Sequence, residues 1–144
     1  MKSVPVYFSL GTNQGDRRAQ IDEALRRLDA AIGHPYEALS SIIETPSWGF
    51  EGPDFLNCVV RYRTARRPHT LLRICKRIER VMGRREREEY DAGGSRIYHD
   101  RPIDIDILLY GDETVDTPEL KIPHPLMKQR DFVMRPLEEI FAQK

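Results

Sequence analysis

Two aspartates, Asp104 and Asp106, are the side chains in this sequence whose type and spacing most directly suggest chemistry. They stand two residues apart in the apolar run 103–109. Because successive side chains of a β-strand point to opposite faces, both carboxylates would lie on one face and repel each other. Mg²⁺ bridges such pairs, because it binds through one or two carboxylates and takes its other ligands from water and phosphate oxygens. The pair therefore predicts a metal site, and a solvated strand face is the alternative.

Basic side chains precede these aspartates along the chain. Residues 61–87 contain eleven Lys or Arg and two Glu, although the whole chain carries 23 of each sign. Arg84, Arg96 and Arg101 are candidates for bidentate clamps on a polyphosphate, and ordinary solvated or ion-paired arginines are the alternative. Because the net charge is zero, no global field recruits nucleic acid or an anionic membrane.

Three further residues have a type and position that favour ligand binding. Phe55 and Asn57 share one face of a predicted strand, so an aromatic ring lies beside an amide that both donates and accepts hydrogen bonds. This pair suits a planar, amide-like heterocycle; a core Phe with an Asn that satisfies backbone is the alternative. His124 lies between two prolines, which restrict the backbone on either side of it. It is a candidate phosphate donor or a structural loop histidine.

The hydrophobic pattern predicts the elements that must position these residues. Alternation indicates strands, a period of 3.6 residues indicates helices, and Gly33 and Gly83 are predicted helix ends. The predicted order is strand 4–10 closed by a turn at Gly11, a helix ending at Gly33, strands 38–44 and 55–64, a helix from Pro68 to Gly83, and strand 103–110. This β-α-β-β-α-β order predicts an α+β, ferredoxin-like core, with an antiparallel sheet and both helices on one face.

The remaining segments contain shorter or irregular elements. Residues 84–101 show no periodicity and include a Gly93-Gly94 pair, so we predict a long mobile loop that closes over substrate. After strand 103–110 we predict a turn at residues 111–112, a return strand near residues 114–115, a short helix at 127–129, strand-like residues 132–134 and a helical turn at 136–141. With 40% hydrophobic residues, residues 1–144 are expected to form a single domain.

The chain also carries signals about its compartment. Its only cysteines, Cys58 and Cys75, lie in apolar patterns, which disfavours a disulfide framework and favours a reducing compartment. It opens with no signal peptide and has no apolar run of about 18 residues that could span a bilayer. We expect a cytoplasmic protein, a monomer rather than an oligomer, that acts on small molecules without a nucleic-acid or membrane partner.

Four ordered blocks of the sequence resemble the 6-hydroxymethyl-7,8-dihydropterin pyrophosphokinases of folate biosynthesis. The blocks are residues 9–16, residues 44–57 with their Glu-Thr-Pro and Asp-Phe-Leu-Asn segments, residues 101–108, and residues 122–140. The resemblance runs nearly end to end. It implies transfer of a diphosphate from ATP to the hydroxymethyl group of the dihydropterin, which gives the pterin diphosphate and AMP.

The same resemblance implies a role for each matching residue. Asp104 and Asp106 would hold two Mg²⁺ ions, and Arg84 and Arg101 would close on ATP as catalytic arginines. The implied nucleotide contacts are Lys76, Glu79, Tyr98, Ile107, His124 and Arg130. The implied pterin contacts are Thr45, Pro46, Ser47 and Trp48, the rings of Phe55 and Phe132, which would sandwich the pterin, and Asn57, which would bind its edge.

Two other classes of protein remain open from the residues alone. RNA-recognition domains share the predicted element order, and the basic second helix could follow a phosphate backbone. The chain lacks their aromatic-rich basic strand signature, however, and two aspartates on the last strand would repel phosphates. A ligand-sensing regulatory domain is the other alternative, and it predicts binding without turnover.

Overall fold

The computed structural model describes residues 2–46, 54–83 and 103–142, together with the backbone of residues 89–90 and 96–97. Three α-helices, one 3₁₀ helix and nine strands lie in these ranges. They are β1 (Val4–Thr12), α1 (Arg17–Ile32), β2 (Ala38–Leu39), β3 (Ile43–Thr45), β4 (Phe55–Thr64), α2 (Pro68–Gly83), β5 (Glu89–Tyr90), β6 (Arg96–Ile97), β7 (Asp104–Tyr110), β8 (Val115–Asp116), β9 (Lys121–Ile122), a 3₁₀ helix (Met127–Gln129) and α3 (Asp131–Ala142).

The central sheet is antiparallel throughout. Its strand order is β2-β4-β1-β7, and β3 also pairs with β4. The long strands β1 and β4 therefore form the middle, and β7, which carries both aspartates, lies at one edge. This arrangement confirms the predicted α+β, ferredoxin-like core.

Helices α1 and α2 cover one face of the sheet. Asp16 caps α1 by accepting a hydrogen bond from the Ala19 amide at 3.0 Å, and Gly33 ends it with a left-handed φ of 104°. Both helices bury the apolar stripes that the sequence predicts, against inward-facing residues of β1, β4 and β7. The buried helical residues are Ile21, Ala24, Leu25, Leu28 and Ile32 of α1 and Leu71, Cys75, Ile78 and Met82 of α2.

The strand predicted at residues 38–44 is two short strands. Leu39 pairs with Val60 and Ile43 with Asn57, so this side of the ladder contains one residue more than β4 does. At the break, the Ser40 hydroxyl accepts a hydrogen bond from the Val59 amide at 2.8 Å. A side chain thus replaces a backbone partner there, which hydrophobic alternation does not reveal.

The segment after residue 130 differs most from its prediction. Residues 132–134, predicted as strand-like, belong to helix α3, which packs on the sheet face opposite α1 and α2. Val133, Leu137 and Ile140 are buried at helical spacing. Burial of each contributes about 1.5–3 kcal/mol, which together outweighs the cost of about 3 kcal/mol for Pro136 inside the helix.

Helix α3 is also fixed to the sheet by a polar contact. The Glu139 carboxylate accepts hydrogen bonds from the amide and the hydroxyl of Ser41, both at 2.9 Å. Ser41 lies in the connection between β2 and β3, so this contact ties the helix to the strand that leads to Thr45. The position of α3 relative to β3 therefore rests on burial and on a carboxylate clamp.

Two other local predictions need correction. The residues near 115 do not return along β7; β8 pairs with β9, with Val115 opposite Ile122. Within the predicted loop 84–101, β5 pairs with β6, with Glu89 opposite Ile97, and the rest of that segment lies outside the described residues. Strands of two residues are too short to produce a detectable alternation.

Both cysteines are buried and free, as predicted. Burial raises the pKa of the Cys58 thiol to about 12 and raises that of Cys75 as well, so neither is a reactive thiolate. Across the described ranges, none of the helices combines the length and the hydropathy that a bilayer crossing requires.

Candidate active site

A cavity of about 180 Å³, here called the first cavity, opens at the end of the sheet where β1, β3, β4 and β7 meet helix α3. Strand pairing brings its walls together, because Asp104 lies opposite Gly11 and Asn57 lies opposite Gly11 on the other side. Its lining residues are Ser9, Leu10, Gly11, Thr45, Pro46, Phe55, Asn57, Asp104, Asp106, Arg130, Phe132 and Val133. Apolar and aromatic walls with a few polar groups suit a small planar ligand.

Asn57 is the buried polar group of this cavity, with 6% of its surface exposed. Its side-chain amide nitrogen donates a hydrogen bond to the Thr45 hydroxyl at 2.8 Å. This bond fixes the amide orientation, and the carbonyl oxygen Oδ1 faces the Gly11 backbone. The predicted pairing of Phe55 and Asn57 on one strand face is confirmed, since both line the same cavity.

Gly11 lies inside β1, not in the turn that the sequence predicts. A Cβ atom at this position would lie 2.9 Å from Asn57 Oδ1 and 3.8 Å from Phe55 Cδ1. Contacts under about 3.0 Å force a shift, so a Cβ at this position would move the Asn57 amide from its place over this strand.

We expect Gly11→Ala to displace the Asn57 side chain and to weaken about tenfold the binding of the dihydropterin that the resemblance implies, because a buried polar group is misplaced. Isothermal titration of the pterin checks this. Gly83→Ala is the matched control, because no heavy atom lies within 4 Å of a Cβ built there. Equal pterin affinity in the two variants would contradict the role of Gly11.

The two aspartates both line the first cavity, as their spacing predicts. Ile105 and Ile107 point to the opposite face and are 2% and 4% exposed in the core. Among the described residues no third Asp, Glu, His or Cys joins the pair as a ligand cluster. Two carboxylates without further protein ligands are a donor set typical of sites where Mg²⁺ takes its other ligands from water and phosphate oxygens.

Glu79 of α2 holds the strand between these aspartates. Its Oε2 accepts a hydrogen bond from the Ile105 amide at 2.8 Å, and its Oε1 lies 3.5 Å from Lys76 Nζ. The Glu79 side chain is only 10% exposed. One amide at the free edge of β7 is thus satisfied by a side chain, which restrains the backbone between the two carboxylates.

A second cavity of about 230 Å³ lies beside the first, between α2, β7 and the β8–β9 hairpin. Its lining residues are Leu72, Lys76, Ile105, Asp106, Ile107, Pro118, Glu119, Leu120, Lys121, His124 and Pro125. Asp106 lines both cavities. A group held by this carboxylate is therefore within reach of ligands in either cavity.

His124 is held in one orientation beside β7. Its backbone amide donates to the Leu108 carbonyl at 3.0 Å, and its ring Nδ1 accepts from the Leu126 amide at 3.2 Å. This bond assigns the ring proton to Nε2. Burial lowers the pKa of His124; the charge of Asp106 opposes the shift and that of Arg130 adds to it. The ring is therefore a neutral donor at pH 7.

Comparison with known proteins decides the family. A sequence model of the family described as 7,8-dihydro-6-hydroxymethylpterin-pyrophosphokinase matches residues 7–142. The chain belongs to this pyrophosphokinase family. The predicted function, transfer of pyrophosphate from ATP to hydroxymethyldihydropterin in folate synthesis, is thereby confirmed.

Individual relatives agree with this pyrophosphokinase assignment. The chain is 47% identical over 137 residues to 2-amino-4-hydroxy-6-hydroxymethyldihydropteridine pyrophosphokinase of Porphyromonas gingivalis. This match covers 94% of this chain and 89% of the relative. It is 41% identical to the enzyme of that name from Aquifex aeolicus, a match that covers 94% of this chain and 79% of the relative. It is 38% identical to the folic acid synthesis protein FOL1 of Dictyostelium discoideum, a match that covers 94% of this chain and 19% of the relative.

The structure brings most of the predicted site residues to the first or the second cavity of this pyrophosphokinase. Thr45, Pro46, Phe55, Asn57, Asp104, Asp106, Arg130 and Phe132 line the first cavity, and Lys76, Asp106, Ile107 and His124 line the second. Glu79 lines neither and contacts the β7 backbone instead. Ser47, Trp48, Arg84, Tyr98 and Arg101 lie outside the described residues, as does most of the predicted closing loop.

Arg130 lines the first cavity, with its guanidinium carbon 5.7 Å from the Phe132 ring centroid. The nucleotide contact that the resemblance implies for Arg130 stays a prediction. A guanidinium at this distance stacks favourably on an aromatic ring. The contact restrains the Phe132 ring at the start of α3.

Some lining residues were not predicted from the sequence. Ser9, Leu10 and Gly11 of β1 line the first cavity, and Lys121 of β9 lines the second. A glycine inside a run of β-forming residues was an available signal for Gly11, since such a glycine marks a close backbone approach. Lys121 gave no signal, because only the β8–β9 hairpin brings it near β7.

Proposed function

We propose that the chain performs this transfer with Mg²⁺ as a required cofactor and with pterin and ATP in the first and second cavities, respectively. The observation that carries the proposal is the position of Asp106, which lines both cavities. A diphosphate passed between two ligands has to cross the boundary between their subsites. A carboxylate at that boundary, with a second carboxylate beside it, is where charge on the transferred group needs compensation.

The pterin subsite consists of two rings and an amide. Phe55 and Phe132 come from the sheet and from α3, and both line the first cavity. They would stack on the two faces of the heterocycle, while Asn57, oriented by Thr45, binds its edge. Ser47 and Trp48 remain predicted backbone contacts of this subsite.

Asp104 and Asp106 would hold two Mg²⁺ ions. The donor set fits these ions, because two carboxylates leave most coordination positions to water and phosphate oxygens. Held by these carboxylates, Mg²⁺ would neutralise phosphate charge and lower the pKa of the attacking hydroxyl. Glu79 keeps the strand between the two carboxylates in place through the Ile105 amide.

The nucleotide subsite is the second cavity. Lys76 supplies a positive charge, Ile107 an apolar contact, and His124 a neutral Nε2–H donor for a phosphate oxygen. Arg84 and Arg101 remain predicted clamps on the phosphates, and Tyr98 and Arg130 remain predicted nucleotide contacts. Catalysis in this arrangement is mostly alignment of the hydroxymethyl group with the β-phosphorus, and charge neutralisation around it.

The direct test incubates the protein with ATP, Mg²⁺ and 6-hydroxymethyl-7,8-dihydropterin and separates the products by chromatography. We expect AMP and the pterin diphosphate in equal amounts, and no product after chelation of the metal with EDTA. ADP with a pterin monophosphate would contradict diphosphate transfer. Full turnover in EDTA would contradict the role of Mg²⁺.

We expect Phe132→Ala to weaken pterin binding by about 1–3 kcal/mol, the scale of stacking between a base and an aromatic ring, and to leave ATP affinity nearly unchanged. Calorimetric titration of each ligand measures both. Phe141→Ala is the matched control, because Phe141 lies on the same helix, is 49% exposed and does not line the cavity. Loss of ATP affinity with normal pterin affinity would reverse the two subsites.

We further propose that residues 1–144 act as a single catalytic domain, as a monomer in the cytoplasm, on small molecules and without a nucleic-acid or membrane partner. Two buried free thiols support a reducing compartment. Sedimentation analysis of the purified chain tests the monomer. Salt-dependent RNA binding with an affinity comparable to that for ATP would contradict the absence of a nucleic-acid partner.

A further inference from the structure

Arg17, the first residue of α1, connects the ends of two strands. Its Nη2 lies 2.7 Å from Glu44 Oε2, and its Nη1 donates a hydrogen bond to the Asp54 carbonyl at 2.8 Å. Glu44 belongs to β3, and Asp54 directly precedes β4. One guanidinium therefore holds both chain segments that flank residues 47–53.

Each of these contacts adjoins a residue of the first cavity. Thr45 follows Glu44, and Phe55 follows Asp54; these two residues also pair with each other across β3 and β4. Both line the first cavity, whereas Arg17 is not among its lining residues. The guanidinium is thus placed to act on the cavity through Thr45 and Phe55 without contacting a ligand there.

The helix gives Arg17 a rigid base. Asp16 caps α1, and its next turns are anchored in the core by Ile21, Ala24 and Leu25. A guanidinium has fixed planar geometry and can satisfy two acceptors at once, which a lysine ammonium does less well. Through Arg17, the ends of β3 and β4 are therefore anchored to helix α1, which packs in the core, and not only paired with each other.

We propose that Arg17 is a positioning residue for the pterin subsite, which it shapes by holding Thr45 and Phe55 at a fixed separation and angle. The inference rests on the proposed function, because it takes the first cavity as the pterin subsite. The Arg17 and Glu44 side chains are 30% and 53% exposed, so their ion pair adds little to global stability. The ion pair instead affects the local geometry of the first cavity and, through it, the binding of the pterin.

The test compares Arg17→Ala with Arg18→Ala. Arg18 is the next residue, is 67% exposed and, within the described part of the chain, pairs with Asp22 of the same helix at 3.5 Å. Titration of 6-hydroxymethyl-7,8-dihydropterin, in the presence of Mg²⁺ and a nonhydrolysable ATP analogue, gives the pterin Kd. We expect Arg17→Ala to raise it about three- to tenfold, with the Kd of the ATP analogue unchanged and Arg18→Ala like the parent.

A double-mutant cycle and a conservative variant sharpen the result. Glu44→Gln should raise the pterin Kd less than Arg17→Ala, because the Asp54 contact remains, and Arg17→Lys should restore part of the affinity. The effects of Arg17→Ala and Glu44→Gln should be less than additive, since they share one contact. If Arg17→Ala does not fold, Glu44→Gln replaces it in the test, and a raised pterin Kd with an unchanged Kd of the ATP analogue is then the expected result.

Unchanged pterin affinity in Arg17→Ala overturns the inference, and so does an equal loss of affinity for both ligands. Asn57→Ala, measured in parallel, separates this failure from failure of the proposed function. If Asn57→Ala weakens pterin binding and Arg17→Ala does not, only the positioning role is wrong. If Asn57→Ala also leaves the pterin Kd unchanged, the first cavity is not the pterin subsite.

Discussion

Asp106→Asn is expected to lower kcat by about a hundredfold or more, on the scale seen when one group that stabilises transition-state charge is removed. The substitution changes the shape of the side chain very little and removes its negative charge. Because Asp106 lines both cavities, this charge is lost at the boundary between the proposed pterin and nucleotide subsites. Pterin binding should survive better than nucleotide binding, since stacking and the Asn57 amide do not involve this carboxylate.

Steady-state turnover over a titration of Mg²⁺ measures the effect. The Asp106→Asn enzyme should need more Mg²⁺ for half-maximal activity, and Asp104→Asn should behave alike. Asp112→Asn is the matched control, because Asp112 is an exposed aspartate of the turn after β7 and lines neither cavity. Near-normal activity of either site variant at limiting Mg²⁺ would refute the metal assignment.

Leu137→Ala is expected to lower the free energy of unfolding by about 2–5 kcal/mol, the range for large-to-small substitutions in a packed core. Leu137 is 0% exposed in the cluster that joins α3 to Tyr7, Val59 and Leu108 of the sheet. Truncation removes apolar burial and leaves a void that the surrounding helix and strands fill only in part. The same helix carries Phe132, so pterin affinity should also fall in the folded variant.

Urea denaturation followed by circular dichroism gives the free energy of unfolding. Glu138→Ala, the neighbouring exposed position on the same helix, is the control and should change it by about 0.5 kcal/mol or less. Equal stability of the Leu137 and Glu138 variants would mean that α3 does not pack on the sheet as described.

Local patterns alone were enough to predict most of the core. Alternating and helical periodicities predicted β1, β4, β7, α1 and α2, because each of these elements is long and buries a continuous apolar face. Period-two alternation likewise put Asp104 and Asp106 on one face, and Phe55 and Asn57 on another. These inferences need no knowledge of distant residues, since strand geometry alone dictates them.

Residues 131–142 mark where local patterns fail. Phe132, Val133 and Met134 read as a strand because three apolar residues in a row fit a strand as well as a buried helix, and Pro136 opposes a helix. The helix is favoured by packing on the sheet face that α1 and α2 leave uncovered. Val133, Leu137 and Ile140 can all pack against that face only if the segment is helical. In this segment, the stabilisation from burying apolar side chains outweighs the local preference against a helix.

The sequence by itself determined the family, the order of the core elements and the identity of the two carboxylates, because motifs, periodicity and spacing are local properties. Only the tertiary structure decided how these parts meet. In the folded chain, Asp106 lines both cavities, and the Asn57 amide lies over the Gly11 backbone. Arg17 binds both Glu44 and the Asp54 carbonyl. Each of these relations joins residues that lie far apart along the chain, so it exists only once strand pairing and helix packing bring them into contact.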